Sequence, residues 1–338
     1  MWRQEVSKNL GEVSQPEGTK SLAALCKAAS EPIRLDIMRV LSRDSFGVQE
    51  LASILSVPQP GMSHHLKILS QCGLLKTRRQ GNSIFYRRAM LRGDGEFDAF
   101  QASLYATLDE NPLNETYLQR MAAVHQERSE QSQEYFKKNA DKFQERQGML
   151  CDLSQYLSNL RELLELMRLP KKSRVMEVGP GQGGLLKELS QRCDSLVALD
   201  SASEILELTK KSVSNSSRKI EFVNCSLEAY SSGEKSFDAV ILNMVMHHLA
   251  SPAQAFLKLK QLLKPGGYVL VADLCSHHQE WVKTVCGDLW LGFDPQELSD
   301  WALKAGLETK QSLYLGLKNG FQIQLKLFKE RTNAHDKA

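Results

Sequence analysis

Two hydrophobic rhythms divide the chain. Up to about residue 93 the apolar positions recur every three or four residues in short runs. Ile33, Ile37, Val40 and Leu41 make one stripe, and Leu51, Ile54 and Leu55 another, the spacing of a single helix face. These runs predict helices over LAALCKAAS, IRLDIMRVLSR and VQELASILS. Pro32 opens the second of these at a first-turn position, where its missing N–H costs little. A fourth helix follows the Val57-Pro58 turn. KTRRQ and SIFYRR then flank Gly81-Asn82, the signature of a β-hairpin. From about residue 148 the rhythm changes. Compact apolar runs (RVMEVG, SLVALD, KIEFVNC, FDAVILN, GGYVLVADL) alternate with amphipathic helical stretches, and LYLGL and FQIQLKLF close the pattern across Lys318-Asn319-Gly320. Strands alternating with helices predict an α/β, doubly wound parallel sheet. Between the two patterns, ERSEQSQEYFKKNADKFQERQ is almost free of aliphatics and reads as a helical connector. The expected organisation is a flexible 1–18, a helix-turn-helix domain over 19–93, a connector over 94–147, the α/β domain over 148–330 and a tail over 331–338.

On a helical wheel, residues 60–71 place Met62, Leu66 and Leu69 together with His65 at their edge, and Pro60, Ser63, His64, Lys67 and Gln71 opposite. The adjacent histidines therefore point about 100° apart and do not chelate one ion from a helix face. Charge sharpens this picture. From Leu51 to Gly93 there is no Asp or Glu, while Lys67, Lys76, Arg78, Arg79, Arg87, Arg88 and Arg92 supply seven positive charges in a chain of net charge +3. Such a basic island implies a polyanionic partner. A helix-turn-helix followed by a basic hairpin is winged. Its second helix would present Gln59, Ser63, His64 and Lys67 to base edges, and Arg78, Arg79, Arg87 and Arg88 would meet phosphates or a minor groove. Composition adds only bounds. The chain is 42% apolar and 25% charged, as globular soluble domains are. No apolar run reaches the ~18–20 residues a bilayer requires, so no membrane partner is expected. MWRQEVSKNLGEVSQPEG lacks an apolar signal core, and the seven scattered cysteines contain no CxxC pair, which together predict a cytoplasmic protein with reduced thiols.

The run EPIRLDIMRVLS…VQELASILSVPQPGMSHHLKILSQCGLLKTRRQGNSIFYR resembles the winged helix of ArsR-like bacterial repressors over about 70 residues. The resemblance implies a homodimer that binds double-stranded operator DNA. Many members sense metals, through a Cys-x-Cys pair on the helix before the recognition helix or through Asp and His ligands on the last helix. Here VQELASILS has no cysteine and DGEFDAFQASLYATL no histidine, so no metal ligands are assigned in this region.

In the second half, EVGPGQGG puts Gly179, Gly181, Gly183 and Gly184 between a strand and a helix. Glycines there let backbone approach a ligand at a helix N-terminus, although such a loop alone is a weak signal. Asp200 ends the next strand, about twenty residues on, where an acid can accept both ribose hydroxyls. With VALD, EFVNCSLEAY, FDAVILNMVMHHLASP and LKPGGYVLVADL, this half resembles class I S-adenosylmethionine-dependent methyltransferases over about 150 residues. The resemblance implies S-adenosylmethionine or S-adenosylhomocysteine as cofactor. It places Glu177, Gly179 and Gly181 around the methionine end, counts Gly183 among the cofactor-binding residues, and puts Asp200 on the ribose, Ser201 and Leu227 near the adenine and Asn243 beside the cofactor. Ser226 stands where the family often carries an Asp for the adenine amine.

The carboxyl edge of the sheet also gathers Cys225, His247, His248, Asp273, Cys275, His277 and His278, with Cys286 nearby. The four histidines are candidate catalytic bases. The thiols raise an alternative, a metal- or arsenic-responsive regulator-methyltransferase. Trp281, Trp290 and Phe293 read equally as a pocket wall or as packing over the sheet. Asn243-Met-Val-Met replaces the proline-rich motif of base-amine DNA methyltransferases, which disfavours that activity. The favoured reading is a transcription regulator whose methyltransferase-like domain senses S-adenosylmethionine or S-adenosylhomocysteine, as some ArsR-like regulators of the methionine cycle do. Its rival is an active small-molecule methyltransferase.

Overall fold

A computed structural model describes residues 17–91, 93–214, 219–231 and 235–331. Arg92, the first sixteen residues of the expected flexible segment and residues 332–338 of the expected tail lie outside them. Leaving aside the turn residues Gln80–Asn82, the described residues fall into two compact units, one up to Arg120 and one from Met121 onward.

The first unit begins with α1 (Glu17–Ala29), α2 (Pro32–Val40), β1 (Phe46–Gly47), α3 (Val48–Leu55) and α4 (Gln59–Gln71). It continues with β2 (Leu75–Gln80), β3 (Ser83–Arg88), α5 (Asp98–Glu110) and the first turns of α6 (Glu115–Asn139). Three strands pair in the order β1-β3-β2. The helical stripes of the sequence close the core: Ile37, Met38, Leu51, Ile54, Met62, Leu66 and Leu69 are fully buried. Ser56 takes φ +53 at the end of α3, a left-handed cap that turns the chain into α4. Arg88, expected on the wing surface, is buried instead. Its side chain bonds the Met38 carbonyl at 2.5 Å, pairs with Asp109 at 2.8 Å and lies 4.9 Å over the Tyr105 ring. The reason is its position as the last residue of β3, where the strand enters the helical core and the cation finds these acceptors.

The second unit holds the rest of α6, α7 (Phe143–Leu150), α8 (Leu157–Leu166), β4 (Arg174–Val178), α9 (Gly184–Leu189), β5 (Ser195–Asp200), α10 (Ser203–Ser212) and β6 (Ile220–Asn224). Then come β7 (Phe237–Asn243), α11 (Pro252–Leu262), β8 (Leu263–Leu274), α12 (Trp281–Val285), α13 (Pro295–Lys304), β9 (Leu307–Gly316) and β10 (Gln322–Glu330). The seven strands run in the order β6-β5-β4-β7-β8-β10-β9. The first five are parallel, and β10 is antiparallel to both β8 and β9. Strands covered on both faces lose their alternation, and Leu196 to Leu199, Ala239 to Leu242 and Val269 to Ala272 are almost wholly buried. The expected connector 94–147 is not one body: α5 and the start of α6 fold with the first unit, and residues from Met121 fold with the second. Buried Met121, Val124 and Arg128 mark where α6 gains packing partners.

Replacing Arg88 with alanine strands the Met38 carbonyl and removes the ion pair to half-exposed Asp109, and is expected to cost about 1–3 kcal/mol, read as a lower urea midpoint. An unchanged midpoint with weakened DNA binding would return Arg88 to the DNA surface.

Candidate functional site

The α/β unit is built around the point where the strand order reverses. From β4 the chain steps outward to β5 and β6, then crosses back to β7 on the other side of β4. Ligands of open α/β sheets bind beyond the carboxyl ends of the strands at such a switch point. A cavity of about 340 Å³ lies there. Gly179 follows β4 at φ +62, and a Cβ added to it would stand 2.5 Å from Val245 Cγ2. Gly181, at φ +53, is similarly pressed against the Phe143 ring at 3.1 Å. Both conformations and both approaches require glycine. Gly183 serves packing: it caps α9 at φ +72, and a Cβ there would meet Val213 and Thr209.

Gly179, Gly181, Asp200, Ser201, Ser226 and Leu227 all line the cavity. Asp200 accepts the Ala202 N–H at 2.9 Å. Burial pushes its carboxyl up to about 6, against the pull of the Ala202 and Ser201 N–H groups. Ser226 Oγ accepts the Ala229 N–H at 3.2 Å. Glu177, Gly183 and Asn243 do not reach the lining. Glu177 is buried beneath the glycine turn, its Oε2 lacks a hydrogen-bond partner, and burial holds its carboxyl well above the usual range. Asn243 Oδ1 accepts the Tyr156 hydroxyl at 3.0 Å behind the wall.

Sequence reasoning missed part of the wall. Ser129, Ser132 and Phe136 of α6 and Phe143 and Gln147 of α7 close one side of the cavity. They lie in the aliphatic-poor stretch read as connector. Its only signal was Tyr135, Phe136 and Phe143, aromatic residues in an otherwise polar run. Met244, also on the wall, holds φ +57, strained for a non-glycine residue, as site residues often are.

The four candidate histidines separate. His248 alone lines the cavity. Burial and the neighbouring His247 hold it neutral, well below the usual histidine value, and its Nδ1 lies 3.2 Å from the Gly287 carbonyl. His247 is buried, with Nδ1 2.7 Å from Asp273 Oδ1. Burial alone would lower its pKa, but the Asp273 and Asp288 carboxylates raise it to about 9. His277 accepts the Gln279 N–H and packs edge-on against Phe321, and burial lowers it to about 4. His278 is exposed. Trp290 and Phe293 are packing residues: both are buried and neither lines the cavity, and Trp290 Nε1 donates to the Leu249 carbonyl at 2.8 Å. Nor do the thiols of the arsenic reading converge. Among the described residues the cluster with metal-ligand spacing is His247, His248 and Asp288, without a cysteine. Burial raises Cys275 to about 11 and Cys286 to about 12, so neither is a ready thiolate.

In the first unit, α4 buries Met62, Leu66 and Leu69 and exposes Gln59, Ser63, His64 and Lys67. On the wing Arg79 is exposed, and Arg78 and Arg87 are half-buried. His65 lies at the core edge, 3.7 Å from Glu31.

A winged helix-turn-helix joined to a Rossmann-like methyltransferase unit is the class these features define. A model of bacterial regulatory proteins of the arsR family matches residues 31–77, and a methyltransferase-domain model matches residues 176–271. The biofilm growth-associated repressor of Agrobacterium fabrum is 36% identical over 84 residues, 24% of this chain and 72% of that protein. A ubiquinone biosynthesis O-methyltransferase of Cereibacter sphaeroides is 28% identical over 149 residues, 40% of this chain and 60% of that enzyme. A polyketide synthase-nonribosomal peptide synthetase of Aspergillus clavatus is 30% identical over 131 residues, 36% of this chain and 3% of that protein. The chain thus spans less than two thirds of these last two relatives. It belongs to the arsR family of bacterial regulatory proteins, with a methyltransferase domain forming its second unit.

Gly179→Ala forces a side chain into Val245 at positive φ. It is expected to cost about 1–3 kcal/mol, read as a lower Tm; an unchanged Tm would mean that the turn is free to open.

Proposed function

We propose that this regulator binds operator DNA as a homodimer through α4 and the wing, and that its cavity binds S-adenosylmethionine or S-adenosylhomocysteine as the signal that sets DNA affinity. The cavity carries the reading. A glycine turn without room for a Cβ leaves backbone open to a ligand, Asp200 offers a carboxylate for a ribose diol, and Leu199, Ile205, Leu227 and Val245 offer apolar contact to a planar base. The neighbouring Phe143 and Phe136 shield the remaining side. This donor set fits an adenosyl ligand. Bound S-adenosylmethionine supplies an electrophilic methyl group; the residues here bind, orient and exclude water. His248, neutral and on the wall, is the group placed to take a proton from a small methyl acceptor, which keeps methyl transfer as the second reading.

Two measurements check this. Calorimetric titration with S-adenosylhomocysteine should give binding that Asp200→Ala weakens by about 2–3 kcal/mol, through the loss of two accepted hydroxyl hydrogen bonds. Because the ionised carboxyl is the better acceptor and its pKa is about 6, wild-type affinity should fall as pH drops through that value, and Asp200→Asn should lose the dependence. Equal affinity in wild type and Asp200→Ala would remove the adenosyl assignment. For the DNA face, Ser63→Ala combined with His64→Ala should weaken specific DNA binding at least tenfold, at about 1–3 kcal/mol per lost base contact, with S-adenosylhomocysteine affinity unchanged. Loss of both activities would mean that the change unfolds the protein.

A further inference from the structure

Of the His247–His248–Asp288 cluster only His248 has a role in the readings above, as proton acceptor in the second, which a metal on its lone pair would exclude; the cluster's hydrogen bonding is unusual. His247 is fully buried and its Nδ1 lies 2.7 Å from Asp273 Oδ1, yet its Nε2 has no hydrogen-bond partner. Asp288 is 3% exposed, and neither carboxylate oxygen has a hydrogen-bond partner. Asp288 Oδ1 stands 3.9 Å from His247 Nε2, too far for a hydrogen bond. One ligand atom from each of His247, His248 and Asp288 lies within 4.8 Å of the others. Buried polar atoms left unpaired cost about 1–3 kcal/mol each, so the unpaired His247 Nε2 and Asp288 oxygens, with a ligand atom of His248 close by, call for a missing partner.

We propose that His247, His248 and Asp288 form a binding site for one divalent first-row transition-metal ion, of which zinc is the representative. Two imidazoles and a carboxylate are the donor set such ions prefer. The flanking groups match as well. Metal-bound histidines commonly donate their other ring N–H to a carboxylate or a backbone carbonyl. Here the Nδ1 of His247 faces the Asp273 carboxylate and that of His248 faces the Gly287 carbonyl. These contacts turn Nδ1 of each ring to an acceptor; neutral His248 then keeps a lone pair on Nε2, whereas an ion at His247 Nε2 displaces the proton that Asp273 and Asp288 hold on that ring. The backbone also holds the ligands in place. Leu289 N–H and Trp290 N–H both donate to the His247 carbonyl, at 3.0 and 3.1 Å, tying the Asp288 segment to the histidine turn. Gly287, at φ +78, packs against the Tyr135 ring so closely that any side chain would clash. Two ligands bound at ~2.0–2.1 Å in a tetrahedral site stand about 3.3–3.5 Å apart, so the 3.9 Å pair closes by about half an ångström and the other pairs, within 4.8 Å, by up to about 1.4 Å. Three protein ligands leave a coordination position open, as in catalytic rather than structural zinc sites, and His248 belongs to both this cluster and the cavity wall.

The site is tested on the full chain without cofactor or DNA, so its failure leaves the adenosyl and operator readings standing. Chelator-treated protein is titrated with Zn²⁺ against a chromophoric competitor and with Co²⁺ followed by visible absorption. The expected result is one equivalent per chain, with Co²⁺ d–d bands and no thiolate charge-transfer band. Asp288→Asn should weaken Zn²⁺ binding at least tenfold, Asp273→Asn should weaken it by about 10–100-fold, and Asp288→His should restore much of it. Circular dichroism identifies any variant that fails to fold, and the rescue by Asp288→His rests on no comparison with such a variant. Absence of a stoichiometric ion in the wild type, a thiolate band, or binding indifferent to a folded Asp288→Asn would overturn the assignment.

Discussion

The parallel pairing of β4 with β5 on one side and β7 on the other is the constraint on which the second unit depends. It places the ends of three strands side by side where no crossover helix covers them, and the chain must leave β4 through a turn tight enough to keep that edge open. Gly179 and Gly181 meet that demand at positive φ, each against a side chain that would collide with a Cβ. The same edge then receives Asp200 from β5 and Met244 from the end of β7. Burial of the strands on both faces, with Val240, Ile241, Leu270 and Val271 at zero exposure, holds that register rigid. The cavity is a consequence of sheet order before it is a consequence of any one side chain.

The helix α6 carries the second theme. Its first turns fold with the winged helix, where Arg120 donates to the Ile54 carbonyl at 3.0 Å and to Ser56 Oγ, the residue that turns α3 into α4. Its later turns supply Ser129, Ser132 and Phe136 to the cavity wall. The helix is continuous in sequence from Arg120 of the first unit to the cavity-lining Ser129, Ser132 and Phe136 of the second. Coupling between such sites requires a ligand with different affinities for two states of the protein, and it is reciprocal.

Much of this was legible in the residues themselves. The 3.6-residue stripes located the core of the winged helix, and Met62, Leu66 and Leu69 are buried as the wheel required. The apolar runs located every parallel strand: the central ones, buried on both faces, leave an unbroken hydrophobic signature, and the edge strand β6 shows in its Ile220, Phe222 and Val223. What stayed hidden depends on tertiary placement. Arg88 has the same local sequence as its wing neighbours, and only the end of β3 turning into the helical core buries it. The lining role of α6 was masked because a helix that faces a polar cavity on one side and solvent on the other shows little aliphatic periodicity. Two adjacent histidines after β7 read as one motif, yet only His248 lines the cavity, while His247 is buried beside Asp273. Asp288, in a loop about forty residues away in sequence, gave no pattern that would link it to them.

In the proposed function, an adenosyl ligand bound by the second unit sets the DNA affinity of the first. The direct measurement is capture of sheared genomic DNA from the source organism by the full-length protein, alone and with saturating S-adenosylmethionine or S-adenosylhomocysteine, followed by sequencing of the retained fragments. The account predicts enrichment of one or a few operators whose recovery changes at least fivefold with one of the two ligands, a coupling of about 1 kcal/mol or more. The same operators recovered equally in all three conditions would contradict it, and would make the second unit an enzyme attached to a constitutive DNA-binding domain.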